Sequence, residues 1–257
     1  MNEWREQWSM FRDDERFLFE DWIRPATIEY FKDKTVLECG CGGGQHTNFI
    51  APIAKHVTAV DLNTVDIARE RNKVFDNVEF VDADIATMDL GRQYDIVFCV
   101  GVIHHTDDPD ITFANMYRHS RPGGKMIVWT YSAEGNGLVR YLVEPFRKTI
   151  LRRLPRSWVA GFAHLLALSL YPAVYTIYRF SKLNFLPYHE YFSNFRKLTY
   201  RRNVLNVFDK LNAPQTKFTT LEKCHEWFSP ALFQKESISI RPYAGVSYSL
   251  VGSKING

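Results

Sequence analysis

Two successive histidines, His104 and His105, follow the apolar run Tyr94-Asp-Ile-Val-Phe-Cys-Val100, and an imidazole there can take a proton from a hydroxyl or enol near neutral pH. Upstream, Thr35-Val-Leu-Glu-Cys-Gly-Cys-Gly-Gly-Gly44 joins a strand to a glycine-rich turn, where a ligand can approach the backbone unobstructed. A second strand, His56-Val-Thr-Ala-Val-Asp61, ends on a carboxylate 21 positions after Gly40. At that reach in a parallel βαβ unit an acid can hold two ribose hydroxyls. Together these residues describe a site for an adenosine cofactor. A dinucleotide fingerprint begun at Gly40 would need glycine or alanine at position 45, which is Gln45, and no Walker Lys-Ser/Thr follows. That argues against NAD, FAD or phosphate as the main guest.

Glu38, Gly40, Gly42 and Gly44 fall on the E/D-x-G-x-G-x-G first motif of class I S-adenosylmethionine methyltransferases, which this segment resembles. Three more segments follow in that family's order. Val78-Glu-Phe-Val-Asp-Ala-Asp84-Ile85 resembles the adenine-holding motif. Gly101-Val-Ile-His-His-Thr-Asp-Asp-Pro109 is similar to the segment of the ubiquinone/menaquinone-biosynthesis (type 11) methyltransferases and their small-molecule relatives. Arg121-Pro-Gly-Gly-Lys-Met-Ile-Val128 matches their turn into the fifth strand, and the resemblance covers roughly residues 35 to 131.

The resemblance implies that S-adenosylmethionine, leaving as S-adenosylhomocysteine, is held by Glu38, Gly40, Cys41, Gly42, Asp61, Leu62, Asp84, Ile85 and Val100. Asp84 would meet the exocyclic amine of adenine, and the Ile85 N–H a ring nitrogen. Adjacent side chains of an extended chain point to opposite sides, so one histidine of the pair is expected to face the acceptor. The resemblance favours His104, with His105 the second candidate base. No metal is expected, because the acids are assigned to ribose and adenine.

Apolar strands that alternate with helices must position these groups: strands at 35 to 39, 56 to 61, 78 to 82, 94 to 100 and 125 to 130, helices at 45 to 54, 63 to 73 and 109 to 119. That alternation predicts an α/β fold, a doubly wound Rossmann-like sheet of seven strands. Its last two strands are a closing antiparallel hairpin, Lys235 to Ile240 and Val246 to Val251, preceded by a helix with a capping box at Thr219 and Glu222. Trp4, Trp8 and Phe11, then Phe17, Phe19 and Trp22, predict one or two amphipathic helices over residues 3 to 24, which in relatives cover the cofactor.

Residues 1–133 and 219–257 thus form the core, and 134–218 an inserted helical cap too long for an ordinary connection. Within 137–203 twelve Lys/Arg stand against Glu144 and Glu190, a charge of +10, while the whole chain is +3 and the remainder therefore −7. Such asymmetry points to an anionic partner. Ser157 to Tyr178 is an uncharged run of 22 residues, long enough to span a bilayer. Strands before and after it must join one sheet, so no transmembrane span is expected. It reads as a packed helical lid, with peripheral lipid contact the alternative. Tyr188, His189 and Glu190 form a second polar cluster that would complete the pocket.

At 257 residues and 46% hydrophobic composition the chain can bury one substantial core. Cys39, Cys41, Cys99 and Cys224 fit neither a zinc ribbon nor a redox pair and read as buried, reduced thiols. The charged start, Met-Asn-Glu-Trp-Arg, lacks the apolar run of a secretory signal, so the expected location is cytoplasmic. The expected function is methyl transfer to an oxygen or carbon of a small acceptor, hydrophobic or lipid- or sugar-linked. Modification of transfer RNA and non-catalytic binding of S-adenosylmethionine are the alternatives.

Overall fold

Strands buried on both faces are largely apolar, as Val36 to Cys39, Val57 to Val60 and Ile96 to Val100 are apart from Glu38 and Thr58. In the computed structural model, which describes residues 3–12 and 15–256, they form the centre of a sheet. Met1, Asn2 and Gly257, the ends of the expected core, lie outside the described residues. Chain order is α1 (Glu3–Met10), α2 (Arg16–Trp22), β1 (Thr35–Cys39), α3 (Gln45–Ile50), β2 (His56–Asp61), α4 (Val65–Arg71), β3 (Val78–Asp82) and β4 (Tyr94–Val100). Then follow α5 (Pro109–His119), β5 (Ser120–Tyr131), α6 (Glu144–Thr149), α7 (Arg156–Thr176), α8 (His189–Phe195) and α9 (Tyr200–Asn212), and finally α10 (Leu221–Trp227), β6 (Ser239–Tyr243) and β7 (Ser247–Ser253).

The seven-stranded sheet has the order β3-β2-β1-β4-β5-β7-β6. β1 to β5 run parallel, and β7 enters antiparallel between β5 and β6. The strand order reverses between β1 and β4, the switch point at which open sheets leave a crevice beyond their strand ends. Helix starts are set locally. Asp108 accepts from the Asp110 and Ile111 amides with Pro109 in the first turn of α5, and Thr199 accepts from the Arg202 amide at the start of α9.

Two elements are displaced from expectation. The hairpin strands begin later, because Lys235–Ser237 is a 3-10 turn and Tyr243 to Ser247 makes the reversal. The cap of α10 is Thr220, whose hydroxyl accepts from the Lys223 amide at 3.1 Å, not Thr219. Thr219 instead bridges to Ser132 and hydrogen-bonds Thr130 at 3.0 Å, joining the end of the cap segment to β5. A capping pattern read from spacing loses to sheet pairing at the neighbouring residue.

Residues 138–212 hold α6 to α9 with short 3-10 and π segments, joined by turns. The apolar stripe of α9, with Val204, Phe208 and Leu211, buries against Val159, Ala163, Ala167 and Val174 of α7 and against Phe11 ahead of α2. All four cysteines are buried and unpaired. Removing the hydroxyl in Thr220→Ala should cost about 1 kcal/mol in chemical denaturation. An unchanged midpoint would sink this cap assignment.

Candidate active site

Because no side chain is present at Gly40 and Gly42, two segments close on the turn after β1. Gly40 has φ +85° and a Cβ there would lie 2.5 Å from Val102, in the loop after β4. Gly42 has φ +52° and its Cβ would lie 2.7 Å from the Trp8 indole nitrogen. Both positions require a left-handed backbone that other residues adopt at a cost. The Gly42 amide donates to Asp61 Oδ2 at 2.8 Å, which ties the turn to the end of β2. Burial pushes the Asp61 carboxyl up to about 6, against hydrogen bonds from Thr64, Gly42 and Leu62 that lower it.

α1 lies over this turn. Arg5 makes two 2.6 Å contacts with Asp66 of α4, and Arg71 donates to the Gly43 and Phe11 carbonyls and to that of Trp8. On its other side Gln7, 1% exposed, donates to Asp209 Oδ1 at 3.2 Å and accepts from Asn212 of α9. α1 is therefore a wedge between the glycine turn and the helical cap segment.

Beneath the wedge is a cavity of about 490 Å³. Of the nine expected cofactor contacts, Gly40, Gly42, Asp61, Leu62, Asp84, Ile85 and Val100 line it. Glu38 and Cys41 do not. Glu38 is buried behind the turn, where Oε2 accepts from Thr47 Oγ1 at 2.5 Å and Oε1 has no hydrogen-bond partner among the described residues. Burial first, then the Asp61 charge, push its carboxyl up to about 8 against the Thr47 hydrogen bond. Its neighbour His46, 3.8 Å away, lines the cavity and is lowered to about 3 by burial and by Arg202. Burial thus favours the protonated form of Glu38 and the neutral form of His46. Cys41 points into the core, and its backbone amide bonds to Val60.

The histidine pair is arranged opposite to expectation. Ile103–His105 form a 3-10 turn rather than extended chain, so strict alternation does not apply. His104 is fully buried and absent from the cavity wall. Its Nδ1 accepts from the Tyr131 amide at 3.3 Å, which leaves the proton on Nε2, a buried atom without a partner among the described residues. His105 faces the cavity. Its Nδ1 lies 2.7 Å from the Gln215 carbonyl, which can only accept, so Nδ1 carries the proton and Nε2 keeps its lone pair. Burial chiefly lowers its pKa, Asp209 and the Gln215 bond raise it, and Arg147 lowers it again, with a net result below the ordinary imidazole value.

The cavity wall opposite the glycine turn comes from residues that carry no motif. Tyr131 of β5 donates to Asp209 Oδ2 at 3.0 Å, and Lys210 Nζ sits 5.4 Å and 4.8 Å over the Tyr131 and Tyr191 rings. Burial alone would lower Lys210, but Tyr131, Tyr191 and Asp209 hold its ammonium above the usual range. Tyr188, His189 and Glu190 do not line the cavity. They bond instead to the Leu138 amide and the Phe180 carbonyl within the cap segment and, from Glu190, to the Ala244 amide of the closing hairpin. The helical period of α9, with Asn206, Asp209 and Lys210 beside its apolar stripe, was the available signal for the true wall.

Residues 37–128 match the family model described as a methyltransferase domain. The ubiquinone biosynthesis O-methyltransferase of Coxiella burnetii is 32% identical over 119 residues, 42% of this chain and 50% of that protein, so the match spans about half of the curated relative. An O-methyltransferase family protein from Burkholderia thailandensis has a TM-score of 0.53 at 14% identity, covering 94% of this chain and 56% of that one. The N-methyltransferase NodS from Bradyrhizobium japonicum, solved with S-adenosyl-L-homocysteine, has a TM-score of 0.50 at 13% identity and 99% coverage of both. These structures share the fold. Residues 37–128 thus match a methyltransferase domain, on a fold shared with these O- and N-methyltransferase structures.

An acid whose folded pKa lies above its unfolded value binds more protons when folded, so Glu38 erodes stability as pH rises from 4.5 towards about 8. Glu38→Gln should flatten the decline of the denaturation midpoint over that range. A native slope retained in the variant would show that Glu38 is not the protonated group.

Proposed function

We propose that this protein transfers a methyl group from S-adenosylmethionine to an oxygen or carbon of a small hydrophobic acceptor, with His105 as the general base. The carrying observation is the single cavity in which the glycine turn, Asp61 and Asp84 share walls with His105 and the α9 residues Asp209 and Lys210. The cofactor fits the first half of that wall. Asp61 would hold the ribose hydroxyls, Asp84 and the Ile85 amide the adenine, and the turn at Gly40 and Gly42 the backbone approach. Glu38 would support the turn through Thr47 rather than touch the ligand. When bound, S-adenosylmethionine supplies a methyl already activated by its sulfonium.

The chain's residues then have four tasks. Trp4, whose ring centroid is 4.7 Å from that of His105, and Trp8 over Gly42 exclude water from above. The Gln215 carbonyl fixes the His105 tautomer so that Nε2 can accept the acceptor's proton. Asp209 favours the imidazolium that results. Lys210, charged and half-buried over two tyrosines, favours an acceptor with an anionic group beside its apolar body. His104 serves as the anchor of the turn, through Tyr131, and not as the base.

The relatives named for O-methylation support oxygen as the target atom. Most of the cap's aromatic rings favour a small molecule over RNA, since they line the cavity or sit in apolar runs rather than interleaved with basic residues. We read the acceptor as lipid-borne and the protein as cytoplasmic.

Calorimetry should find S-adenosylhomocysteine bound, and Asp61→Ala should weaken it roughly tenfold or more. Methyl-labelled S-adenosylmethionine should pass label into an organic extract of membrane lipids; label in transfer RNA instead would refute the small-acceptor reading. His105→Ala should lower kcat by about 10² to 10⁴ with cofactor affinity kept, whereas His104→Ala should mainly lower Tm. The acid limb of the pH profile should lie below 6.5, since His105 must be neutral to act. Asp209→Asn, which removes a charge that raises the His105 pKa, should move that limb lower still. Movement upward would place the base elsewhere.

A further inference from the structure

α7 carries no charged side chain after Arg156 and is mostly exposed, with Ser157, His164, Ser169 and Thr176 the polar groups on its exposed side. Its buried residues, Val159, Ala163, Ala167 and Val174, form one narrow stripe against α9. On the opposite side Trp158 is 69% exposed, Leu165 65% and Leu168 59%, with Phe162 and Tyr175 beside them. Only 22% of the most apolar 18-residue window is buried. A helix packed on one side and bathed in water on the other carries charged groups outward; one whose outward side is uncharged and dominated by large apolar side chains is covered by protein or by lipid. The patch extends beyond the helix: among the described residues, thirteen of the twenty-two exposed large hydrophobic side chains lie between Leu138 and Phe185.

Charge identifies what covers it. Arg152 and Arg153 are exposed ahead of α7, and Arg179 and Lys182 after it, while no acid occurs between Glu144 and Glu190. Basic side chains at the rim of an apolar face, with Trp158 and Tyr175 towards the two helix ends, match the layering of an anionic bilayer surface. A second copy of the chain fits poorly, because a two-fold contact through this face would bring the same basic clusters together. α7 cannot cross the membrane, since β5 before it and β7 after it pair in one sheet.

We propose that the outer face of α7 docks the protein on an anionic phospholipid membrane, with the helix lying in the plane of the interface. Arg152 is both exposed and part of the cavity wall, so docking sets the cavity mouth beside the headgroups. A lipid-borne acceptor would then enter without crossing water. The docking surface stands on the cap's outer face alone and does not depend on the transfer chemistry.

The test is cosedimentation of the full chain with vesicles of phosphatidylglycerol in phosphatidylcholine, against phosphatidylcholine alone. Binding to the anionic vesicles that weakens with salt is expected. Leu165→Glu with Leu168→Glu should lower that affinity about tenfold or more, and Arg179→Glu with Lys182→Glu roughly fivefold for each basic side chain removed. S-adenosylhomocysteine binding and circular dichroism should be unchanged in both variants, which separates failure of docking from failure of the methyltransferase reading. The proposal is overturned if the native chain ignores anionic vesicles at low salt, or if Leu165→Glu with Leu168→Glu binds them as the native chain does. It is also overturned if ultracentrifugation finds a dimer that this variant dissolves while vesicle binding is absent.

Discussion

The architecture of the site depends on an absence of volume at two residues. Gly40 and Gly42 lack side chains where the Val102 loop and the Trp8 ring come within 3 Å of the position a Cβ would occupy. A methyl group at either place would push one wall of the cavity away, and with it the histidine turn on one side or α1 on the other. The Gly42–Asp61 hydrogen bond holds that bared turn in register with β2. From this follow the shape of the cavity, the wedge position of α1 and the approach of α9, whose Asp209 reaches both Gln7 of the wedge and Tyr131 of the sheet. Side chains from three parts of the chain converge because the backbone between them is bare.

Much of this was legible in the sequence, for particular reasons. Buried parallel strands are largely apolar, so the five strands from Thr35 to Tyr131 announced themselves. Left-handed glycines and a strand-terminal acid have few other uses, so seven of nine expected cofactor contacts line one cavity. What was missed depended on tertiary partners. The alternation rule that turned one histidine to the acceptor presumes extended chain, and the choice of His104 came from resemblance alone; Ile103–His105 instead curl into a 3-10 turn stitched to the segment after α9 by the Gln215 carbonyl and the Lys217 amide. Glu38, read as a ligand, turns out to buttress α3. Thr219 yielded its capping role to Thr220 because β5 claimed it.

The cap segment illustrates the opposite case. Its charge and its uncharged run were visible from composition, but its contribution to the cavity was not. Tyr191, Asp209 and Lys210 belong to no motif and matter only through where α8 and α9 come to rest. The conspicuous cluster Tyr188-His189-Glu190 is structural, spent on backbone amides and a carbonyl. Conspicuous residue types mark a site reliably only where the backbone that carries them is itself constrained, as it is in the glycine turn.

The place of β7 in the sheet bears on how the molecule is assembled during synthesis. β5 has β4 on one side and β7 on the other, and β7 begins at Ser247, more than a hundred residues after β5 ends. While a ribosome extends the chain, one flank of β5 and its apolar side chains stay unpaired until β7 has emerged. The intervening helices can form locally, but the half-sheet waits for its late partner, and that interval exposes the nascent protein to edge-to-edge aggregation.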